Sequence, residues 1–124
     1  MAMQDVLSVR RFFDGKAIFV TGATGFLGKS VIEKLLTTCN VRKIYFLLRA
    51  KKGVSFEERS KNFRKDPLFK FRVDAAKLDL LTPIAGDISS EDLGISAEDR
   101  DTLVSDVDVV IHSAATVKFD EELR

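Results

Sequence analysis

A glycine-rich segment between an apolar run and a helical pattern is the feature that most constrains the fold of this chain. The apolar run covers residues 17–20, the glycines are Gly22, Gly25 and Gly28, and the helical pattern covers residues 29–38. A strand, a glycine turn and a helix in this order form the phosphate-binding element of dinucleotide-binding folds. The segment therefore predicts a nucleotide site, and the alternative is a glycine turn with a structural role only.

Each glycine of this segment has its own expected role. Gly22 permits a tight turn, Gly25 lets the backbone approach a pyrophosphate without a Cβ in the way, and Gly28 lets the helix pack close against the strand. The first N–H groups of the helix then point at the phosphates, and the helix dipole favours negative charge there.

Apolar runs alternate with helical patterns along the whole chain, which predicts βαβ units and a parallel sheet. Strands are expected at about residues 17–21, 43–49, 81–85 and 107–112, and helices at about 26–38, 55–65 and 97–105. Ser55 with Glu58 is typical of a capping box that opens the second helix, and Pro67 is expected to stop that helix.

The predicted fold class is α/β, namely the first half of a doubly wound Rossmann fold with strand order 3-2-1-4. Residues 1–14 are interpreted as an amino-terminal arm and residues 15–124 as a partial NAD(P)-binding Rossmann domain. Strand four would keep an unpaired edge rich in Val and Ile, and such an edge favours pairing with other chains and aggregation. We therefore expect this chain to be truncated after strand four and to belong to a longer protein.

Composition limits the classes of function. The chain has 124 residues with one cysteine and one histidine, which excludes an intrachain disulfide and argues against a dedicated zinc site. No run reaches the roughly 18 apolar residues of a membrane span, and residues 1–14 lack the apolar core of a signal peptide. We expect a reducing, cytosol-facing setting.

Charge is unevenly distributed although the net charge is only +1. Residues 42–72 contain 11 basic and 3 acidic side chains, whereas residues 74–108 contain 2 basic and 10 acidic ones. These stretches are either two solvated helix faces, or the basic one attracts phosphorylated ligands such as NADPH or coenzyme A. The near-neutral total and the lack of a recognition motif argue against nucleic acid binding.

Arg49 ends the second predicted strand, 21 residues after Gly28. An acidic residue at this point binds the ribose hydroxyls of NAD, whereas a basic one accepts the 2′-phosphate of NADP. Guanidinium geometry suits a phosphate, and Lys51 and Lys52 add charge nearby. The expected cofactor is therefore NADPH, and the alternative is an arginine at a strand end that only reaches water.

Several segments resemble a known family. The loop TGATGFLG (21–28) is similar to the cofactor loop of extended short-chain dehydrogenases/reductases. The ordered segments that resemble the fatty acyl-CoA reductases are KIYFLLR (43–49), KKG (51–53), DPLF (66–69), PIAGD (83–87) and IHSAATVKFDE (111–121). They cover most of the chain from residue 15 to residue 124, but residues 72–82 match poorly.

The resemblance also implies a set of cofactor-binding residues. In the family, an Asp at the position of Asp87 faces the adenine and Ile88 packs beside the ring, while Ala114 and Ala115 let the backbone lie under the ribose and diphosphate. An alternative for Asp87 is a plain helix N-cap. The whole expected set is Thr21, Gly22, Thr24, Gly25, Phe26, Leu27, Gly28, Arg49, Asp87, Ile88, Ala114 and Ala115.

The catalytic Tyr-x-x-x-Lys motif of the superfamily is absent. The only tyrosine is Tyr45, and the residue four positions further on is Arg49. In the family, the Tyr donates a proton to the substrate while the Lys lowers its pKa, and the catalytic Ser is expected beyond Arg124. His112, the only histidine, is interpreted as a hydrogen-bonded packing residue. No catalytic residue and no metal ligand is assigned, and the chain is expected to be inactive alone.

The resemblance implies that the parent protein reduces a long-chain fatty acyl-CoA to a fatty alcohol with NADPH. It also implies a location at the peroxisomal or endoplasmic reticulum membrane, with any membrane-associated part outside this chain. The alternatives are a thioester reductase domain, a sugar epimerase of the same superfamily, and a non-catalytic NADP-sensing module.

Overall fold

Four short apolar segments form the parallel sheet of this α/β structure. The computed structural model describes residues 9–49, 53–87 and 89–113. Its strands are β1 (Ala17–Thr21), β2 (Lys43–Leu48), β3 (Leu81–Ala85) and β4 (Val109–His112). They pair in parallel in the order β3-β2-β1-β4, which confirms the predicted class and order. Because all strands run the same way, the loops that follow them meet at one edge of the sheet.

Helices connect these strands. Residues 9–13 are helical (α1), and a 3₁₀ turn covers Glu91–Gly94. The remaining helices are α2 (Phe26–Thr38), α3 (Phe56–Arg64), α4 (Pro67–Lys70), α5 (Ala75–Leu78) and α6 (Ala97–Asp106). Serine caps set the starts of α3 and α6, because the Glu58 N–H donates to Ser55 Oγ and the Asp99 N–H donates to Ser96 Oγ, both at 3.1 Å.

The structure corrects two details of the expected elements. Pro67 does more than follow the end of α3: it is the first residue of α4, where Asp66 Oδ1 accepts a hydrogen bond from the Leu68 N–H at 2.9 Å. Strand β4 begins at Val109 rather than two residues earlier, because Val107 still caps α6 through its N–H, which donates to the Leu103 carbonyl at 2.9 Å.

The core forms two layers, one on each face of the sheet, because alternate strand residues point to opposite faces. On one face, Ile18 and Phe46 pack against α2, α3 and α4, and the rings of Phe46 and Phe63 stack with centroids 4.4 Å apart. On the other face, Phe19 and Tyr45 pack against Leu103 of α6 and its neighbours. The larger layer thus fixes α3 against β2, beside the ends of the strands.

A polar network ties the amino-terminal part of the sheet together. Tyr45, which is 4% exposed, donates from its hydroxyl to Asp106 Oδ2 at 2.5 Å. Arg42 donates to Asp106 Oδ1 at 2.5 Å, and the Ala17 N–H donates to Asp108 Oδ2 at 3.0 Å. Burial, followed by the hydrogen bond to Asp106, raises the pKa of Tyr45 to about 12. These contacts give Tyr45 a structural role.

Candidate functional site

The glycine turn joins β1 to α2 at the carboxyl edge of the sheet. Gly22 has φ +70°, a left-handed conformation that strongly favours glycine. The Gly25 N–H donates to the Gly22 carbonyl at 3.2 Å and closes the turn. Gly25 itself is the N-cap of α2, and the Lys29 N–H donates to its carbonyl at 3.0 Å. The predicted tight turn at Gly22 is therefore present.

Space around the other two glycines differs. A Cβ added at Gly25 would lie 3.5 Å from the Gly22 carbonyl oxygen, an ordinary contact, so the fold itself leaves room for a side chain. A Cβ at Gly28 would lie 2.7 Å from Ala23 Cα and closer still to the Gly22 oxygen. The close approach at Gly28 is therefore between the helix and the turn, whereas the sequence predicted an approach between the helix and the strand.

The amino terminus of α2 carries no internal cap. The first N–H groups of an α-helix lack intrahelical acceptors. Among the residues that the structure describes, no side chain accepts a hydrogen bond from them, and the first turn has no acidic residue. The side chains of Phe26 and Leu27 are 86% and 62% exposed. A free set of N–H donors beside an open glycine is suited to a phosphate anion.

A pocket connects this turn with the ends of β2 and β3. Arg49 follows β2 and Asp87 lies just beyond β3; Arg49 Nη1 lies 3.9 Å from Asp87 Oδ2. The pocket has a volume of about 260 Å³ and is lined by Gly22, Ala23, Thr24, Leu47, Arg49, Arg59, Gly86 and Asp87. The structure thus brings together the glycine turn, Arg49 and Asp87, which are more than twenty residues apart in the sequence.

Asp87 is held by the loop that follows it. Its Oδ1 accepts hydrogen bonds from the Ser89 N–H at 2.9 Å and from the Ser89 hydroxyl at 2.7 Å. These hydrogen bonds, with a smaller contribution from Arg49, hold the pKa of the Asp87 carboxyl below its usual range. Ser90 occupies the N-cap position of the following 3₁₀ turn, without a side-chain hydrogen bond to it, so Asp87 is not the plain helix N-cap considered as an alternative. Its Oδ2 faces Arg49.

Arg59 is a residue of this pocket that the sequence analysis did not single out. It lies on α3 and is half-buried, and its Nη1 donates to the backbone carbonyl of Arg49. It also lines an adjoining pocket of about 300 Å³ together with Thr24 and Lys29. The sequence indicated only that residues 42–72 form a basic stretch. The spacing of the basic residues did not show which side chain turns toward the strand ends.

Thr21 has a different position from the other predicted site residues. It is 2% exposed, and its Oγ1 lies 2.6 Å from His112 Nδ1. Its carbonyl accepts hydrogen bonds from the N–H and the hydroxyl of Ser113. Thr21 and His112 thus join the ends of β1 and β4. His112 is hydrogen-bonded as expected, although its side chain is exposed.

Some predicted positions lie outside the described residues, namely Lys51, Lys52, Ile88, Ala114 and Ala115. Within the residues that the structure covers, no three His, Cys, Asp or Glu side chains are grouped so that they could hold a metal ion. In the same part of the chain, no helix is both long and apolar enough to cross a bilayer.

Comparison with known proteins gives a consistent picture. An NAD-binding family model described as "Male sterility protein" matches residues 20–124. The chain is 43% identical over 124 residues to the fatty acyl-CoA reductase wat of Drosophila melanogaster, covering 98% of this chain and 24% of the relative. It is 41% identical to fatty acyl-CoA reductase 1 of Xenopus laevis, covering 96% of this chain and 24% of the relative. The chain therefore spans about a quarter of the length of these relatives.

Solved structures share the fold. The terminal R domain of the myxalamid PKS-NRPS biosynthetic pathway is 30% identical with a TM-score of 0.69, over 86% of this chain and 26% of that one. The reductase domain of a non-ribosomal peptide synthetase from Mycobacterium tuberculosis is 28% identical with a TM-score of 0.64, over 96% of this chain and 30% of that one.

Proposed function

Because this chain belongs to the fatty acyl-CoA reductase family, matched by the male sterility protein model, we propose that it is the NADPH-binding portion of an alcohol-forming fatty acyl-CoA reductase. The family indicates a nicotinamide cofactor. The preference for NADPH, the long-chain acyl-CoA substrate and the fatty alcohol product are parts of the proposal.

The observation that carries the proposal is the pocket that joins an uncapped helix terminus to Arg49 and Asp87. The residues fit a dinucleotide, because the first N–H groups of α2 are free to donate hydrogen bonds to a phosphate and Gly25 leaves space above them. The adenosine half would lie across the ends of β1, β2 and β3, with Asp87 toward the adenine and Arg49 toward a 2′-phosphate. When bound, NADPH supplies the hydride that reduces the thioester.

The acid/base chemistry is proposed to come from other parts of the polypeptide. Tyr45 is buried in β2, and its hydroxyl is already bonded to Asp106. Its pKa of about 12 disfavours proton transfer near neutral pH. The part of this chain that the structure describes thus binds and orients the cofactor. We also propose the peroxisomal or endoplasmic reticulum membrane as the location of the whole protein, on the family resemblance alone.

A second candidate is a reductase that acts on a carrier-bound thioester. It is favoured by the likeness to two reductase domains of peptide and polyketide assembly systems. The higher identity to the fatty acyl-CoA reductases favours the coenzyme A thioester instead.

The test measures both cofactor and substrate with the full-length natural polypeptide. Calorimetry with NADPH and NADH is expected to show binding with a preference for NADPH. Cofactor oxidation is then followed with a long-chain acyl-CoA and with the same acyl group on a carrier protein. Turnover with the carrier-bound substrate only would replace the first candidate by the second, and absence of nucleotide binding would refute both.

A further inference from the structure

Ser89 is an exposed residue of the loop that follows β3. Its hydroxyl donates to Asp87 Oδ1 at 2.7 Å, and its N–H donates to the same oxygen at 2.9 Å. The other oxygen of this carboxylate, Asp87 Oδ2, lies 3.9 Å from Arg49 Nη1, and both residues line the pocket beside the glycine turn. A chemical change at the Ser89 hydroxyl therefore acts directly on a carboxylate that lines the pocket.

The residues after Ser89 favour one kind of chemistry at this hydroxyl. Glu91 and Asp92 lie two and three positions further on, and both are exposed. A serine followed by carboxylates at these positions suits a protein kinase with a basic peptide-binding groove, because charge-assisted hydrogen bonds hold the carboxylates in that groove. Ser89 also lies outside the helices and strands, so a kinase can reach its hydroxyl without unfolding a regular element.

We propose, resting on the cofactor site argued above, that Ser89 is a phosphorylation site whose modification weakens nucleotide binding. In the reaction, Ser89 Oγ attacks the γ-phosphorus of ATP and forms a new O–P bond. The bond between that phosphorus and the β,γ-bridging oxygen breaks, ADP leaves, and the hydroxyl proton passes to a carboxylate base of the kinase. The product carries a charge of about −1.5 to −2 near neutral pH and has no hydroxyl to donate to Asp87.

Two effects of this phosphate oppose cofactor binding. First, it replaces a hydrogen bond to Asp87 by repulsion between two neighbouring anions, which displaces the carboxylate from its place in the pocket. Second, its oxygens compete for the guanidinium of Arg49, which already lies beside Asp87. The first effect weakens NADPH and NADH alike, whereas the second adds to the loss for NADPH. The competing explanation is a serine that only holds the loop and is not modified.

The binding test uses the full-length natural polypeptide with phosphoserine incorporated at position 89 during translation. Ser89→Ala is the uncharged comparison, because alanine removes the hydroxyl but retains the N–H that donates to Asp87. Phosphoserine at position 96 is the matched control. Ser96 is exposed and has Glu98 and Asp99 two and three positions further on, but its hydroxyl caps α6 and it is not among the described residues that line the pocket. Dissociation constants are measured for NADPH and NADH.

A second measurement asks whether the modification occurs. The wild-type polypeptide and Ser89→Ala are incubated with MgATP and a serine/threonine kinase of acidic-site specificity, and the phosphorylated residues are located by mass spectrometry. We expect phosphate at Ser89 of the wild type. Absence of phosphate at this residue would overturn the proposal.

Phosphoserine at position 89 is expected to weaken NADH about tenfold or more, with a loss for NADPH that is at least as large. Ser89→Ala is expected to change both affinities by about threefold or less, and phosphoserine at position 96 to leave them unchanged. Wild-type affinities in the protein phosphorylated at position 89, or an equal loss in Ser89→Ala, would overturn the role of the phosphate while leaving the cofactor site intact. An unmodified protein that binds no nucleotide would refute the proposed function itself.

Discussion

Two substitutions in the same glycine turn, Gly25→Val and Gly28→Ala, are expected to have different effects on stability and binding. At Gly25 the backbone is extended, with φ −76° and ψ 166°, and an added Cβ keeps 3.5 Å from its nearest neighbour. Valine adopts this backbone conformation readily. The remaining cost is the loss of the glycine N-cap, which is about 1 kcal/mol. At Gly28 an added Cβ would meet Ala23 Cα at 2.7 Å.

The magnitudes follow from these contacts. The overlap at Gly28 is with backbone and cannot be relieved by a side-chain rotation, so its cost belongs at the upper end of the roughly 1–3 kcal/mol for overpacking. The gain of about 1 kcal/mol from replacing a helical glycine by alanine offsets only part of it. Gly28→Ala is therefore expected to lower the free energy of unfolding by about 2 kcal/mol, and Gly25→Val by about half as much.

Cofactor binding is expected to be affected most by Gly25→Val, although Gly28→Ala is the substitution that lowers stability more. The valine side chain at Gly25 occupies the space above the free N–H groups of α2 and blocks the pyrophosphate. Loss of two charge-assisted hydrogen bonds corresponds to a weakening of about a hundred-fold or more. NADPH and NADH are expected to be affected equally, because both carry the pyrophosphate.

The assay combines thermal melting with calorimetric titration of both cofactors on the wild-type protein and the two variants. Gly25→Val is expected to melt close to the wild type and to lose nucleotide binding. Gly28→Ala is expected to melt at a clearly lower temperature. Unchanged NADPH affinity in a folded Gly25→Val protein would refute the assignment of the turn as a pyrophosphate site, and a Gly28→Ala protein as stable as the wild type would refute the packing argument.

Three further predictions concern the remaining parts of the structure. Arg49→Gln is expected to weaken NADPH about ten- to a hundred-fold more than NADH; equal losses in the two titrations would mean that Arg49 acts through the fold. Tyr45→Phe is expected to cost about 1–2 kcal/mol at neutral pH, since it removes a hydrogen bond to the partly exposed Asp106 carboxylate. Because folding raises the pKa of Tyr45 from about 10 to about 12, its contribution is full below pH 10 and declines as the pH rises toward 12; denaturant unfolding of both proteins across this range is expected to show the difference shrinking, and a constant difference would contradict the assignment. Residues 1–124 alone are expected to oxidise no NADPH with a long-chain acyl-CoA under conditions in which the full-length polypeptide does, and comparable rates would show that the catalytic residues lie within this chain.

Local signals account for the parts of the fold that were predicted correctly. The four apolar runs became the four strands, and their alternation with helical patterns was enough for the parallel order. Ser55 and Ser96 cap their helices by bonding to N–H groups only three residues away, so these helix starts could be located from neighbouring residues. The same holds for Gly22, whose positive φ belongs to the turn itself.

Other features depended on contacts between distant residues. The short helices α4 and α5 lie in or beside the stretch that matched the family poorly. Asp66, the N-cap of α4, pairs with Lys29 of α2, and this contact joins residues 37 positions apart. Thr21 belongs to the glycine motif, yet its hydroxyl is used within the protein by His112. A motif identifies which residues surround a site but does not show where each side chain points.

The sequence by itself therefore determined the strand–turn–helix unit and the parallel sheet, because periodicity, caps and glycine conformations act within a few residues. The family was indicated separately, by the resemblance of several ordered segments. Only the tertiary structure decided that Arg59 reaches the strand ends beside Arg49, that Asp87 turns one carboxylate oxygen toward the same place, and that Gly28 packs on the turn. The physical reason is that these positions follow from the packing of α3 on β2 and from the juxtaposition of three parallel strands, both of which join residues that the chain keeps far apart.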